Sequence, residues 1–452
     1  MQHKLKKTAL VCSRLFSSFQ ASQPTVIRAS FLHFTADPAK TENVSHAYQY
    51  IEDGLMVIEN GKVTSLKTFN EKDAAIYSKI VDKRGKLIVP GFIDTHIHYP
   101  QTQMIASYGE QLLEWLTTYT FPTEEQFADK KHAQKISKFF VNELLKNGTT
   151  SALVFGTVHP QSVDALFEET SKKNMRIIAG KVMMDRNAPD DLLDTAQSSY
   201  DESKQLIEKW HNKGRSQYAI TPRFAPTSTP EQLQLAGKLK AEYPDVYVQT
   251  HLSENKNEIE WVKSLFPERE GYFDVYDHYG LTGKKSIFAH SIHLTDDEWN
   301  AFAKTDSVIS FCPTSNLFLG SGLFDLETAE KNNVRVGLGT DVGAGTSFSQ
   351  LQSLNEAYKI MQLQGKQLSV FKGLYLATLG GAESLSLDDK IGNFEEGKEA
   401  DFVVMDWAAT DLQALRQSYS TTLEDKLFAL MMLGDDRNVE STYVAGKLVY
   451  SK

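Results

Sequence analysis

The chain has 452 residues, which is long enough for one large domain and a smaller one. Hydrophobic residues make up 41% and charged residues 23%, as is ordinary for a soluble globular protein. The net charge of −10 argues against a nucleic-acid partner, because phosphate binding needs an excess of lysine and arginine. No apolar run approaches the roughly 20 residues of a membrane span, so we expect no membrane contact.

The N-terminal stretch is basic, with no Asp or Glu in residues 1–36. A weak targeting peptide is one interpretation, but residues 26–34 already read as a strand, and we favour an extension over residues 1–24. Only Cys12 and Cys312 are present, which gives no disulfide framework and favours a reducing, cytoplasmic setting. For Cys312 we favour a structural role over a nucleophilic one.

Both ends of the chain have the texture of short antiparallel β-structure. Residues 25–34 and 48–67 alternate apolar and polar side chains, and Glu59–Lys62 supplies hairpin turn chemistry. Near the C-terminus, Ala400–Met405 reads as a strand and Ser441–Val449 as a hairpin. Because such pieces cannot bury a core singly, we expect them to form one small β-sandwich domain.

Between these ends, short apolar runs alternate with helical stretches such as Glu124–Lys146, Ser198–Lys213 and Pro230–Glu242. The apolar runs lie at about 88–95, 149–156, 176–184, 218–224, 246–252, 286–292, 307–312 and 334–341. Eight such units predict an α/β fold with a (β/α)8 TIM barrel. The alternative, an open doubly wound sheet, lacks a glycine-rich nucleotide loop.

The predicted domains are therefore a central barrel and a small β domain made from both ends. We expect the barrel at 89–388 and the β domain at 1–88 and 389–452, with 1–24 as the extension.

Several candidate metal ligands end the predicted barrel strands. His96 and His98 are two residues apart, so both side chains point to one face of a strand. His251, His290 and Asp341 end later apolar runs. Active sites of this barrel lie at the C-terminal strand ends, so a catalytic metal site is predicted there. Ligand chemistry favours zinc only modestly over iron or manganese.

Two carboxylates are placed for proton transfer beside such a metal. Asp341 can contact the ion and accept the proton of an activated water, unless it only stabilises a turn. Glu254, three residues after His251, can shuttle a proton, unless it is a solvated loop residue. His290 either binds the metal or hydrogen-bonds the reacting groups. Barrel hydrolases with two metals bridge them through a modified lysine at the end of the fourth strand. No lysine ends that strand here, so a single metal is favoured. We expect Lys181, on the third strand, to be buried with a local partner.

Other zinc-enzyme patterns are missing from the sequence. The deaminase site with paired cysteines cannot form, and no H-E-x-x-H helix is present.

The chain resembles the amidohydrolase superfamily, and within it the branch that deaminates guanine. Pro90–His98 carries the superfamily motif, and Thr250–Asn255 and Gly339–Asp341 hold the metal and proton-transfer residues. Leu113–Pro122 and Thr221–Phe224 are more specific to the guanine branch. The resemblance implies an enzyme that hydrolyses a cyclic amidine, converting guanine and water into xanthine and ammonia, and it suggests a homodimer.

The resemblance also implies the roles of individual residues. One zinc ion per chain would be held by His96, His98, His251 and Asp341, with His290 as a fifth ligand or just beyond. The purine would contact Gln101, Arg223, Phe224, His98, His251, Glu254 and Asp341. Arg223 and Gln101 suit the acceptor atoms of guanine, and Phe224 offers a stacking face.

In the expected mechanism an activated water attacks the amino-bearing carbon while Glu254 protonates the neighbouring ring nitrogen. His290 steadies the tetrahedral intermediate, and Asp341 passes the water proton toward the departing amine. Two alternatives stay open. One is a mononuclear deaminase or chlorohydrolase acting on another ring, such as cytosine or an s-triazine. The other is a non-catalytic scaffold on the same fold.

Overall fold

The computed structural model describes residues 23–452. Residues 1–22, which hold Cys12 and most of the expected extension, lie outside the described residues. Eight parallel strands form a barrel, which confirms the predicted α/β fold. In chain order these barrel strands 1 to 8 are Phe92–His98, Thr149–Phe155, Arg176–Gly180, Ser216–Pro222, Tyr247–Leu252, Ser286–His290, Val308–Phe311 and Arg335–Leu338. A short strand, Val182–Met183, pairs with strand 4.

The barrel closes between strand 1 and the loop that follows strand 8. The backbone N–H of Asp341 donates to His96 O at 2.8 Å, and that of His98 donates to Val342 O at 2.9 Å. The opposite, N-terminal end of the barrel is filled by buried residues of the segment Ala382–Ile391, which pack against side chains from inside the barrel. Within residues 23–452, the C-terminal end is therefore the end of the barrel left open for a site.

Helices connect the barrel strands and cover their outer faces. Their buried stripes pack on the strands in one continuous apolar core. The α-helices are Glu71–Ala74, Leu112–Trp115, Phe121–Glu125, Lys130–Lys146, Pro160–Lys172, Ala196–Trp210, Pro230–Glu242, Lys256–Leu265, Tyr272–His278, Asp296–Thr305, Pro313–Phe318, Leu326–Lys331, Gln350–Leu363, Val370–Leu376, Leu379–Ser384, Asp411–Ser418 and Leu423–Leu433. Leu116–Thr120 is a π-helix, and short 3-10 turns lie at Pro38–Lys40, Val44–His46, Tyr99–Met104, Gln126–Ala128, Asp190–Leu192, Ala225–Thr227 and Asp436–Asn438.

The predicted helices agree with the structure at their centres and differ at some ends. The stretch predicted at Glu124–Lys146 is interrupted at Asp129, whose carboxylate accepts a hydrogen bond from Lys131 N and starts a new helix. Phe139 was expected in the buried face of that helix but is 55% exposed, since its neighbour Phe140 occupies the core position. Among residues 23–452, no helix combines the length and apolar composition needed to cross a bilayer.

Strands from both chain ends meet in one seven-stranded sheet, which confirms that the ends associate. Thr25–Phe34 pairs in parallel with Val81–Pro90, and the other neighbours are antiparallel. The hairpin turn at Asn60 and Gly61 has φ of 52° and 76°, the left-handed values that such turns require. In spatial order the strands are Lys447–Ser451, Val439–Val444, Phe402–Asp406, Val81–Pro90, Thr25–Phe34, Tyr48–Glu59 and Lys62–Thr68.

The apolar run predicted as the first barrel strand at 88–95 is divided between the two sheets. Residues up to Pro90 belong to the small sheet, and the barrel strand begins at Phe92. Gly91 lies between the two strands. A larger residue would not fit there, because a Cβ would lie 2.0 Å from Thr150 Oγ1. The periodicity of a continuous apolar run cannot show such a change of sheet. The domain limits at 88/89 and 388/389 stay predictions.

A buried ionic network ties the small sheet to the barrel. Nη2 of Arg215, just before barrel strand 4, donates to Asp401 at 2.5 Å and to Glu399 at 2.6 Å. Arg176, at the start of strand 3, also pairs with Glu399. Asp401 further accepts the backbone N–H of Ala445 at 2.8 Å, so the network reaches the C-terminal hairpin.

We expect Arg215→Ala to destabilise the protein by about 3 kcal/mol, because it leaves the buried carboxylate of Asp401 without a counter-charge and removes one of the two arginines that pair with Glu399. Thermal and urea unfolding of the purified variant would measure the loss. Arg84→Ala is the control, since its ion pair with Asp82 is solvent-exposed and should contribute little to stability. Equal stability of the two variants would contradict the assigned role of the network.

Candidate active site

Five predicted ligand residues converge at the C-terminal end of the barrel. His96 and His98 lie on barrel strand 1, His251 on strand 5 and His290 on strand 6, and Asp341 follows strand 8. All five are buried. Residues up to 245 positions apart in sequence meet here because parallel strands bring their carboxyl ends to one face of the barrel.

The ligand atoms have the spacing of a metal shell. Nε2 of His98 lies 3.3 Å from Nε2 of His96 and 3.2 Å from Nε2 of His251. Oδ1 of Asp341 lies 3.0 Å from Nε2 of His96 and 3.3 Å from Nε2 of His98. Tetrahedral ligands about 2.0–2.1 Å from zinc would be separated by about 3.3 Å. Ligand atoms of His96, His251, His290 and Asp341 all lie within 4.8 Å of one another.

Hydrogen bonds behind the site determine which imidazole nitrogen faces inward. Nδ1 of His251 lies 2.6 Å from the carbonyl oxygen of Arg223, so it carries the proton and leaves Nε2 as a lone pair. Nδ1 of His290 lies 2.8 Å from Asn316 Oδ1. Because lone pairs of this kind repel when they face one another, the arrangement fits a cation at their centre.

The electrostatics of the site favour the deprotonated forms of these side chains, which are the forms that bind a metal. Burial lowers the pKa of His98 to about 3 and that of His290 to about 4, and it lowers the pKa of His251 well below the ordinary value. These imidazoles are neutral at pH 7, as metal binding requires. Burial alone would raise the pKa of Asp341, but the contacts with His96 and His98 lower it well below its usual range.

The pKa of Glu254 is shifted in the opposite direction from that of Asp341. Burial, with repulsion from Asp341 and Glu258, raises the pKa of Glu254 well above that of an ordinary carboxyl. Its Oε2 lies 3.3 Å from Nε2 of His290, whose ring is also 3.5 Å from Asp341 Oδ2. Two carboxyls with pKa values shifted in opposite directions are suited to act as an acid and a base at one site.

A cleft of about 380 Å³ opens beside these residues. Gln101, Arg223 and Phe224 line it, so the structure brings every predicted site residue except His96 to its walls. His96 lies behind His98 and Asp341. The rest of the lining combines apolar side chains with one further acid: Leu112, Trp115, Leu116, Leu319, Ala344 and Glu258.

Two supporting residues had no signal in the sequence. Glu124 accepts hydrogen bonds from Gln101 Nε2 at 3.3 Å and from Arg223 Nη1 at 2.8 Å, although the sequence presents it only as part of a helix. Asn316, on the short helix after strand 7, orients His290. Neither partnership could be inferred from spacing, because each joins segments far apart in the chain.

Cys312 and Lys181 have the surroundings of structural residues. Burial raises the pKa of the Cys312 thiol well above its ordinary value, and Sγ contacts the carbonyl of Ser310 at 3.5 Å. Lys181 is fully buried and pairs with Asp194 and, at 3.3 Å, with Glu202. The predicted burial of Lys181 with a local partner is confirmed.

The comparison with known families agrees with the fold and the strand-end ligands. The model of the amidohydrolase family matches residues 87–449. The chain therefore belongs to the amidohydrolase family, and its similarity to known proteins places it among the guanine deaminases of that family.

The guanine deaminase of Escherichia coli is 60% identical over 428 residues, which cover 94% of this chain and 98% of that protein. The solved structure of E. coli guanine deaminase superposes with a TM-score of 0.93, covering 95% of this chain and 100% of that one. Guanine deaminase from C. acetobutylicum, solved with guanine bound in its active site, is 33% identical with a TM-score of 0.86 over 95% of this chain and all of that one.

We expect the purified protein to bind about one divalent metal ion per chain, and His96→Asn to bind far less, because it removes one ligand. Elemental mass spectrometry would count the metal. Chelation should lower the melting temperature of the wild-type protein by several degrees and leave that of His96→Asn almost unchanged.

The matched control is His46→Asn, since His46 is exposed. It should retain the full metal content. Equal loss of metal in both variants, or full retention in both, would contradict the proposed ligand set.

Proposed function

We propose that the protein is a zinc-dependent guanine deaminase, converting guanine and water into xanthine and ammonia. One observation carries the proposal: strand-end ligands, a high-pKa Glu254 and the donors Arg223 and Gln101 share one cleft. The similarity to guanine deaminases over nearly the whole chain supports the same activity. The cleft combines an apolar wall with few polar groups, which suits a flat heterocyclic base.

We assign His96, His98, His251 and Asp341 as ligands of one zinc ion per chain, with His290 as a fifth ligand or a hydrogen-bonding neighbour. When bound, such an ion supplies Lewis acidity and makes a water molecule acidic enough to react at neutral pH. Zinc is favoured because three imidazoles and one carboxylate suit its preference for nitrogen and oxygen ligands.

The roles of the protein groups follow from their protonation states. Water forms a bond to C2 of guanine, and the C2–N bond to the exocyclic amine breaks. Glu254, protonated because of its burial, donates to the ring nitrogen next to C2. Asp341, held ionised by its histidine neighbours, accepts one proton of the water and passes it to the amine, which leaves as ammonia. The remaining hydroxyl proton returns to Glu254 as the oxygen on C2 becomes the second oxo group of xanthine. His290 lies between the two carboxyls with its Nδ1–H on Asn316, so its Nε2 accepts a hydrogen bond and steadies the hydroxyl of the tetrahedral centre.

The remaining cleft residues orient the base. Arg223 and Gln101 present donors to the oxo oxygen and N7 of guanine, and Phe224 stacks against the ring. Gln101 is well fixed for this role, because Pro100 and the 3-10 turn Tyr99–Met104 hold its backbone.

We also propose a cytoplasmic enzyme that acts as a homodimer on a free base, with no nucleic-acid partner. The scarcity of cysteine supports the reducing setting. The family resemblance is the support for the dimer, and light scattering of the purified protein would test it.

The decisive experiment is ammonia release from zinc-loaded protein with guanine, adenine, cytosine, 8-oxoguanine and melamine as separate substrates. We expect guanine to react and the reaction to stop on chelation. Turnover of another ring instead of guanine would favour the alternative mononuclear deaminase or chlorohydrolase. Absence of turnover with all five, despite bound zinc, would favour the scaffold.

We expect Glu254→Gln to lower kcat for guanine by about 10²–10⁴-fold, because the amide cannot exchange a proton with the ring. Metal content and melting temperature should stay close to wild type. Steady-state kinetics at saturating guanine would measure the effect.

Glu260→Gln is the control, since Glu260 is exposed on the following helix and should leave kcat unchanged. Near-normal turnover by the zinc-bound Glu254→Gln protein would remove the proton-transfer role.

A further inference from the structure

We propose that Glu124 is a positioning residue that aims the donors of Gln101 and Arg223 at the oxo edge of the base. The inference rests on the proposed function and specifies how that site recognises its substrate. Glu124 is buried and lies behind the two side chains, while Gln101 and Arg223 themselves line the cleft. It therefore acts on the substrate through them.

Each oxygen of the Glu124 carboxylate holds one of the two donors. Oε1 accepts from Gln101 Nε2 at 3.3 Å, and Oε2 accepts from Arg223 Nη1 at 2.8 Å. One rigid planar group thus sets the separation of the two side chains. Because these three side chains are almost fully buried, water cannot readily replace either hydrogen bond.

The carboxylate of Glu124 also fixes the orientation of the Gln101 side-chain amide. A carboxylate only accepts, so the amide nitrogen must face Glu124. On its other side, Gln101 Oε1 accepts the backbone N–H of Gly343 at 3.0 Å. With both ends assigned, the second N–H of the amide remains for a ligand. Gln101 is thereby restricted to donating, which suits an oxo group and disfavours an amino group at that edge.

Glu124 balances the charge of Arg223 in the wall of the cleft. The guanidinium also lies 5.5 Å from the centre of the Phe121 ring, which favours its position. The other acids of the cleft wall are Glu254, Glu258 and Asp341. Without Glu124, attraction to those acids would draw Arg223 toward the reacting centre and away from the oxo edge.

The position of Glu124 is coupled to the apolar wall of the cleft. It lies in the helical segment formed by Leu112–Trp115, Leu116–Thr120 and Phe121–Glu125. Leu112, Trp115 and Leu116 of this segment line the cleft. The face that packs on the base and the carboxylate that orients its donors are therefore set by one element.

The test compares two inhibitors that differ at the recognised edge. Hypoxanthine carries the oxo group but no exocyclic amine, and purine carries neither. In Glu124→Gln we expect the inhibition constant of hypoxanthine to rise about tenfold. That of purine, which keeps N7 but lacks the oxo acceptor, should rise much less, by about two- to threefold. The KM for guanine should rise about as much as the inhibition constant of hypoxanthine, and kcat should change much less. The ratio of the two inhibition constants does not depend on the fraction of active protein.

Glu124→Asp is the second variant, because it keeps the charge that Arg223 needs while withdrawing the carboxylate by one methylene. It should show the same selective loss to a smaller extent. Glu125→Gln, at the half-buried neighbouring glutamate, is the matched control and should leave both constants unchanged.

Equal changes for hypoxanthine and purine, or no change in folded Glu124 variants, would overturn the inference. Failure of both Glu124 variants to fold would also overturn it, by showing a purely structural role. Failure of the proposed function would appear separately, as wild-type protein that does not deaminate guanine.

Discussion

The convergence of imidazole nitrogens and one carboxylate oxygen at the mouth of the barrel is the constraint on which the rest of the structure depends. Unprotonated nitrogens at about 3.2–3.3 Å from one another are unfavourable neighbours unless a cation lies between them. Their positions are held from behind, by the carbonyl of Arg223 for His251 and by Asn316 for His290. The barrel provides this rigidity because every ligand lies on or just beyond a hydrogen-bonded strand.

The backbone pays a conformational cost where the strands turn over the site. Ser253, His290, Ser291 and Asp341 have φ between 48° and 72°, in the left-handed region that side chains other than glycine rarely adopt. Such residues cost on the order of 1–3 kcal/mol each and persist where the surroundings hold them. Here the hydrogen bonds that close the barrel, from Asp341 to His96 and from His98 to Val342, hold the loop after strand 8.

Much of the fold was predictable because its signals are local. The alternation of apolar runs and helical stretches indicated the barrel, and the turn residues at Asn60 and Gly61 indicated a hairpin that the structure contains. The predictions were wrong where a local pattern has two solutions. The run through Gly91 is continuous in hydrophobicity yet changes sheets, and Phe139 fits the helical spacing of its buried neighbours while remaining exposed.

By itself the sequence determined the chemical inventory of this protein: histidines and carboxylates at strand ends, a barrel to hold them, and a resemblance that implied their use. Only the tertiary structure decided which of these residues contact one another. The opposite pKa shifts of Glu254 and Asp341 arise from burial and neighbours contributed by different strands. The bonds from Glu124 to Gln101 and Arg223 span 23 and 99 residues of chain. Contacts of this kind depend on the closed geometry of the barrel, and no local pattern of residues specifies them.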